Sequence, residues 1–251
     1  MRHPLLSAVP ALFLGLVAAA PAALTEDALP KGDCRAPAPR TDLRHCNFEG
    51  AMLMGADLSG ADLRGVKFAK ARMAGCRMTG ARAGGANFRW TDMKGCDLGG
   101  ADFSGSDMLH VRLDSAKVDG TDFTRAYLFG AILSHARGKN AVFNTAHLRD
   151  VEIDTATLPG ADFSSATLFR GFVIDSDMRG AKFDGAEMTG LSIEGSDLSG
   201  ASFRKANMAG MNIISTKLKG ADFTGANLMN ATLDDCDTEG AKALPERFAG
   251  R

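Results

Sequence analysis

The sequence predicts a solenoid of four-sided coils, and two periodicities in the chain predict it. A large apolar residue recurs every five positions through residues 41–240, which makes 40 consecutive pentads without an insertion or a deletion. Phenylalanine recurs every 20 positions at the centre of every fourth pentad in the second half. A strict five-residue period fits neither the 3.6-residue helix nor the two-residue strand, and a short fixed period is typical of solenoids.

Each pentad has the same pattern, which the stretch GADLSGADLRG at residues 55–65 shows twice. A small residue and the large centre are expected to point into the coil, and the three other positions, which are mostly polar, are expected to point outward. Only Ala83, Gly138 and Thr238 are centres that are not large and apolar. A leucine at Gly138 would either fill a void or clash with a locally narrowed core.

The 20-residue period indicates that four pentads close one coil. One inward column is expected to contain Phe103, Phe123, Phe143, Phe163, Phe183, Phe203 and Phe223. A second column, on the neighbouring side, contains Phe48, Phe68 and Phe88, so the phenylalanine column changes side between Phe88 and Phe103. One side of the coils ends in glycine, replaced once by Asn140, and both residue types tolerate the positive φ of a tight corner.

The pattern of a small residue, Asp or Asn, Leu or Phe, and two polar positions resembles the pentapeptide-repeat family over residues 41–240. The resemblance implies an all-β fold, a right-handed quadrilateral β-helix of about ten coils. At roughly 4.8 Å per coil, the rod would be about 48 Å long. The ends of such a rod expose unpaired edges, which solenoids cap.

The termini read as segments outside the repeat. Residues 1–23 have a basic start, an apolar run and small residues, which together predict a secretory signal peptide, with a retained anchor as the alternative. Residues 24–40 are expected to form an N-terminal linker or cap. Residues 241–251 are expected to form a C-terminal cap, in which a short helix lays Leu244 and Phe248 over the last coil. After cleavage no membrane span would remain.

Export would permit disulfides, and all five cysteines lie beyond the expected cleavage site. Cys34 and Cys46 flank the stretch RAPAPRTDLRH, and we predict a disulfide between them that folds this stretch over the first coil. Cys76 and Cys96 occupy the same inward position on adjacent coils, where two small stacked core residues are the favoured interpretation.

Residue patterns for catalysis or for cofactor and metal binding are not found. The five histidines are scattered, and the sequence contains no HExxH, CxxC, GxSxG or phosphate-binding loop motif. Outward aspartates beside corners are typical of side chains that hydrogen-bond their own backbone. The sequence therefore favours a non-enzymatic protein without a cofactor.

Two outward clusters are candidate interaction sites. The first, which we call the candidate contact surface, contains apolar side chains and one arginine, and Ile214 and Met229 extend it. Such a cluster is typical of a contact with a partner or with a second copy of the chain. The alternative is that a rod simply tolerates single exposed apolar residues. Its members are Leu109, Tyr127, Phe129, Ile132, Arg149, Phe169, Phe172 and Ile174.

The second cluster, the basic belt, contains seven cations in a stretch without any acid between Asp62 and Asp92, beside Trp90. Its members are Arg64, Lys67, Lys70, Arg72, Arg77, Arg82 and Arg89. From residue 150 to the C-terminus, 16 acidic and 10 basic side chains give a balance of −6, so the rod is polarised. The belt is either solvated surface or a site for an anionic envelope component.

These features predict a periplasmic or secreted rod that binds through its outer faces. The expected partner is a protein, an anionic envelope component or a second copy of the chain. The family resemblance implies an alternative, since members that protect against fluoroquinolones imitate DNA and bind gyrase. A DNA mimic should be strongly acidic, whereas this chain has a net charge of −1 and a basic belt, and a nucleic-acid partner is not expected either.

Overall fold

The structure is a computed structural model that describes residues 29–248. One backbone ladder leads from Asp42 through every twentieth residue to Lys242 by parallel pairing, which makes ten steps. We number the sides of the first coil from residues 41–45 (side 1) to residues 56–60 (side 4). The chain is therefore the expected quadrilateral β-helix. The expected signal peptide, residues 24–28 and residues 249–251 lie outside the described residues.

Within residues 29–248, extended strands occur only on side 3 of the last five coils. They are β1 (Glu152–Asp154), β2 (Phe172–Ile174), β3 (Ser192–Glu194), β4 (Asn212–Ile214) and β5 (Thr232–Asp234), and they form one parallel sheet in that order. Neighbouring strands pair with an offset of 20 residues, as in Ile153 opposite Val173. The centres of β1 to β4 are isoleucine or valine, whose branched side chains favour extended backbone. The other sides pair through single residues.

The core is a column of stacked phenylalanine rings. Phe123, Phe143 and Phe163 lie directly above one another, with ring centroids 4.9 and 4.6 Å apart and nearly parallel planes. Where the column changes side, Phe88 meets Phe103 edge to face at 5.3 Å. The two phenylalanine columns are therefore one continuous aromatic core, which combines two favourable ring geometries.

Gly138 marks a narrowed part of the core. A Cβ atom at this position would lie 2.5 Å from the carbonyl carbon of Val118 and 2.6 Å from the amide nitrogen of Asp119. The backbone of the preceding coil thus occupies the space that a side chain would need. Of the two possibilities for Gly138→Leu, the structure supports the clash.

The N-terminal segment covers side 1 of the first coil. Asp42 donates its backbone N–H to the carbonyl of Pro30, and Gly32 donates to the carbonyl of Asp42. Cys34 and Cys46 are joined by a disulfide, with Cα atoms 5.5 Å apart. This bond ties the segment to the first pentad of side 2.

At the C-terminus, the expected short helix is a single 3-10 turn, Glu246–Phe248. Phe248 is buried and Leu244 packs against the core. The Arg247 guanidinium donates to the carbonyl of Leu228 at 2.7 Å, which satisfies one acceptor of the last coil. Within residues 29–248, no helix has the length and hydropathy that crossing a membrane requires.

The expectation for Cys76 and Cys96 was wrong. Their sulfurs are bonded rather than merely stacked, because equal positions on adjacent coils bring the Cα atoms to 4.5 Å, within the range that a disulfide spans. Cys236 remains a free, buried thiol, and burial raises its pKa.

Candidate interaction surface

Outward residues on one side form columns that follow the rod. Each coil contributes residues at the same pentad position, so side chains 20 positions apart lie next to each other along the axis. On side 2, this arrangement places large aromatic and cationic groups in contact where the sequence only shows them far apart. The fold thus turns a sequence period into a continuous surface.

Six side chains form what we call the stacked ridge, along the outer edge of side 2 and its corner with side 3. The ring of Trp90 stacks on that of His110 with centroids 4.1 Å apart, and His110 meets Phe129 edge to face at 5.5 Å. Arg149 lies between two rings, with its guanidinium carbon 6.0 Å from the centroid of Phe129 and 5.2 Å from that of Phe169. Arg170 is the sixth member, 5.2 Å from the same Phe169 ring.

Asp150 holds the two arginines of the ridge. Its carboxylate accepts two hydrogen bonds of 3.2 Å from the guanidinium of Arg170, and the Nε atom of Arg149 lies 3.7 Å away. Each guanidinium is thus fixed by a carboxylate on one side and by an aromatic ring on the other. Such cation–π contacts typically contribute 0.5–1 kcal/mol at exposed sites.

Gly130 makes room for the ridge. It lies one coil after His110 at the same corner, and a Cβ atom here would overlap the His110 ring. Its φ of +61° also falls in the left-handed region, which glycine adopts without steric cost. Both reasons favour glycine at position 130, next to Phe129.

Trp90, His110 and Arg170 adopt φ values of 60°, 51° and 58° at the same corner. Bulky residues seldom adopt this conformation, which costs them about 1–2 kcal/mol relative to the right-handed region. Other corners of the rod also contain such residues. At this corner, the side chains of all three contact one another or their neighbours along the ridge.

The structure brings together only part of the predicted candidate contact surface. Phe129, Arg149 and Phe169 are in contact, whereas Tyr127 lies beside His147 with ring centroids 5.8 Å apart. Leu109 is half-buried on the same side. The remaining residues lie around the corner on side 3, where Ile132 precedes the strands, Phe172 and Ile174 belong to β2, and Ile214 belongs to β4.

Exposure differs strongly among these groups. Trp90, Tyr127 and Phe172 are 55%, 44% and 52% exposed, and Met229 on the last coil is 61% exposed. The sequence analysis did not include Trp90, His110 or Arg170 in the candidate contact surface. Their positions could have indicated it, because residues separated by multiples of 20 lie at the same corner of successive coils. The spacing alone does not reveal which rings stack.

The basic belt is less cationic than the sequence suggests, because coil stacking brings acids from outside the acid-free stretch. Arg64 and Arg82 lie 2.6 and 3.3 Å from Asp62. Arg77 reaches Asp57 at 3.4 Å, and Arg89 reaches Asp107 at 3.0 Å. No carboxylate of the described chain lies within 4 Å of the three other members, Lys67, Lys70 and Arg72.

Asp62 organises the side 1 part of the belt. It is almost completely buried and contacts three arginines, Arg44, Arg64 and Arg82. Burial opposes its ionisation, but hydrogen bonds from Arg64 and the charges of Arg64 and Arg82 outweigh this effect and hold the pKa of its carboxyl below the usual range. Because Arg44, Arg64 and Arg82 belong to three successive coils, their contacts with Asp62 hold these coils together.

One group of potential metal ligands occurs between residues 29 and 248. Cys34, His45 and Cys46 place their ligand atoms within 4.8 Å of one another. Zinc binds the thiolate form of cysteine, and both sulfurs are bonded to each other in the structure. In this oxidised form the group does not fit a metal ion.

Comparisons with known proteins agree with the architecture. The family model described as pentapeptide repeats matches residues 40–68, 71–108, 109–143, 161–200, 181–220 and 206–242. No curated protein sequence matches the chain significantly.

Several solved structures are similar to the chain. HetL, a pentapeptide repeat protein involved in heterocyst differentiation regulation from the cyanobacterium Nostoc sp. strain PCC 7120, is 29% identical over 80% of this chain and 88% of its own, with a TM-score of 0.42. Full-length QnrB1, a plasmid-mediated fluoroquinolone resistance protein, is 20% identical over 75% of this chain and 86% of its own, with a TM-score of 0.51. The QnrB1 likeness supports the fold alone. Because the family model matches more than half of the residues, the chain belongs to the pentapeptide-repeat family.

Proposed function

We propose that the chain is an exported, non-enzymatic scaffold rod that binds a partner through side 2. The observation that carries the proposal is the stacked ridge, in which aromatic and cationic side chains from five consecutive coils form one surface. Trp, Tyr and Arg are the residue types that most often dominate the binding energy of protein interfaces. Exposed clusters of this kind usually mark a contact site.

Two features support export to the periplasm or the exterior. Residues 1–23 have the composition of a secretory signal. Two disulfides, Cys34–Cys46 and Cys76–Cys96, would persist in an oxidising compartment and would be rare in the cytosol. We expect the tagged full-length protein to fractionate as a shortened periplasmic or secreted species, and a variant without residues 1–23 to remain cytoplasmic. Unprocessed full-length protein in the cytoplasm would contradict export.

The partner is expected to be a protein or an anionic component of the cell envelope. Capture from envelope extracts should be lost with Phe129→Asp combined with Phe169→Asp, since both changes place carboxylates inside the ridge. Thr189→Asp is the matched control, because Thr189 follows Phe169 by one coil in the same column but lies outside the ridge. Equal capture by both variants would exclude the ridge as the binding site.

The basic belt tests the anionic alternative separately. Lys67, Lys70 and Arg72 have no carboxylate of the described chain within 4 Å, so they are the cations most available to an anionic polymer or headgroup. Binding to anionic envelope material should weaken with Lys67→Glu combined with Lys70→Glu, and it should weaken with salt. Binding that is insensitive to both would favour a protein partner.

The DNA-mimic alternative predicts inhibition of gyrase supercoiling by the purified rod. The argument against it is electrostatic, because the net charge is −1 and basic side chains occur on all four sides of the second coil and on three sides of the third. Inhibition at concentrations comparable to those of the enzyme would revive this alternative. Its absence would leave the envelope function in place.

A further inference from the structure

We propose that two copies of this chain pack side by side in antiparallel orientation through side 2, with a twofold axis at the coil of Tyr127 and Phe129. This inference rests on the proposed function, because it names the partner of the same surface. The argument is that the outward columns of side 2 are self-complementary about this coil.

The geometry of such a pair follows from the columns. A twofold axis that lies between the two rods and perpendicular to them places each column of side 2 against the same column of the second copy, in reverse order. A residue that lies a given number of coils before Tyr127 then faces the residue that lies equally far after it. Complementarity can therefore be read from the 20-residue register.

The first column contains one pair of opposite charges. Lys67, three coils before Tyr127, faces Glu187, three coils after it. Asp107, which already contacts Arg89 of its own copy at 3.0 Å, faces the imidazole of His147. Within one copy, no oppositely charged group of the described chain lies within 4 Å of Lys67 or Glu187. Among the described residues, the Glu187 carboxylate accepts one side-chain hydrogen bond, from the Asn207 amide at 2.8 Å. The second copy would supply the missing counter-charges.

The ridge pairs with itself in the same way. Trp90, which is 55% exposed and has one ring neighbour in the described chain, faces Arg170 of the other copy. The guanidinium can then lie over the free face of the indole, which is the preferred partner for a cation. Arg89 similarly faces Phe169, and the two Phe129 rings meet at the axis.

Shifting the axis by one whole coil in either direction disfavours the pairing. Moving the axis by one coil toward the N-terminus sets the two copies of Asp107 against each other, and moving it toward the C-terminus does the same for Arg149 and Asp150. Like charges facing each other disfavour an interface, so of these three registers on side 2 the one centred on the coil of Tyr127 is favoured.

A charge swap tests the pairing in the intact chain. Lys67→Glu alone sets two carboxylates against each other at both copies of this pair in the dimer. Glu187→Lys alone sets two ammonium groups against each other at the same two places. We expect each single change to raise the dimer dissociation constant by about tenfold or more. The double variant Lys67→Glu with Glu187→Lys should restore dimerisation in sedimentation velocity. Lys139→Glu on side 4 is the control and should leave it unchanged.

Carbodiimide cross-linking provides a second measurement. Lys67 and Glu187 are six coils, about 29 Å, apart within one chain, so an amide bond between these side chains can form only between two copies. We expect this cross-linked peptide in the dimer band. A monomer at every concentration, or a dimer that neither single swap weakens, would overturn the inference. A monomer that still captures an envelope partner would overturn it while leaving the proposed function intact.

Discussion

Gly138→Ala should destabilise the rod, although glycine-to-alanine changes usually stabilise a chain. Because the φ of Gly138 lies outside the left-handed region, alanine would ordinarily contribute about 0.4–1 kcal/mol by restricting the unfolded state. The added Cβ would lie only 2.5 and 2.6 Å from backbone atoms of the preceding coil, at Val118 and Asp119. Overpacking of this kind typically costs 1–3 kcal/mol, and a backbone obstacle favours the upper end. We expect a net loss of about 1–2 kcal/mol.

Urea denaturation of the oxidised protein, followed by circular dichroism, measures this loss as a lower transition midpoint. Gly99→Ala is the matched control on the same side, because its Cβ would be 3.5 Å or more from every neighbour and its φ also lies outside the left-handed region. We expect that control to be as stable as the parent protein or more stable. A Gly138→Ala variant that denatures at the same urea concentration as Gly99→Ala would refute the narrowed core.

Three further perturbations test other parts of the structure. Gly130→Ala should cost at least about 1–2 kcal/mol from its positive φ and should displace the adjacent histidine ring, which the fluorescence of the single tryptophan would report. Cys34→Ser should lower the free energy of unfolding by about 3 kcal/mol in thermal or chemical denaturation, as expected for a disulfide that closes a loop of 12 residues. An unchanged free energy of unfolding would show that the cap holds without the disulfide. The pKa of Asp62 is lowered in the folded state, so the carboxylate stabilises the fold above the ordinary pKa of 3.8, and this stabilisation is lost as the pH falls further. Asp62→Asn should therefore make the free energy of unfolding depend less on pH in the acid range. An unchanged pH dependence would contradict the role of the carboxylate.

The core could be predicted because a strict 20-residue period of large apolar residues fits only one arrangement, a stack of four-sided coils. Phe123, Phe143 and Phe163 recur at 20 residues without a single insertion, and a column of stacked inward rings satisfies that register. The change of side after Phe88 was also predicted from the spacing. Its edge-to-face contact with Phe103 was not, because ring orientation depends on local packing that the period does not encode.

The surface was harder to predict because it depends on contacts between coils. The expected excess of charge in the basic belt neglected Asp57 and Asp107, which lie 20 and 18 residues from Arg77 and Arg89 in sequence but contact them across adjacent coils. The ridge likewise depends on how Trp90 and His110 turn at their corners. The disulfide between Cys76 and Cys96 was underestimated for a related reason, since the distance between equal positions on adjacent coils decides it.

That disulfide has a consequence for how the rod can come apart. Each coil contacts only the coils before and after it, so a solenoid loses its order by fraying from an end. The covalent link between Cys76 and Cys96 means that the two coils it joins cannot separate one at a time. Fraying from the N-terminus would be arrested there, which protects the Trp90 end of the ridge from proteases that attack peeled coils.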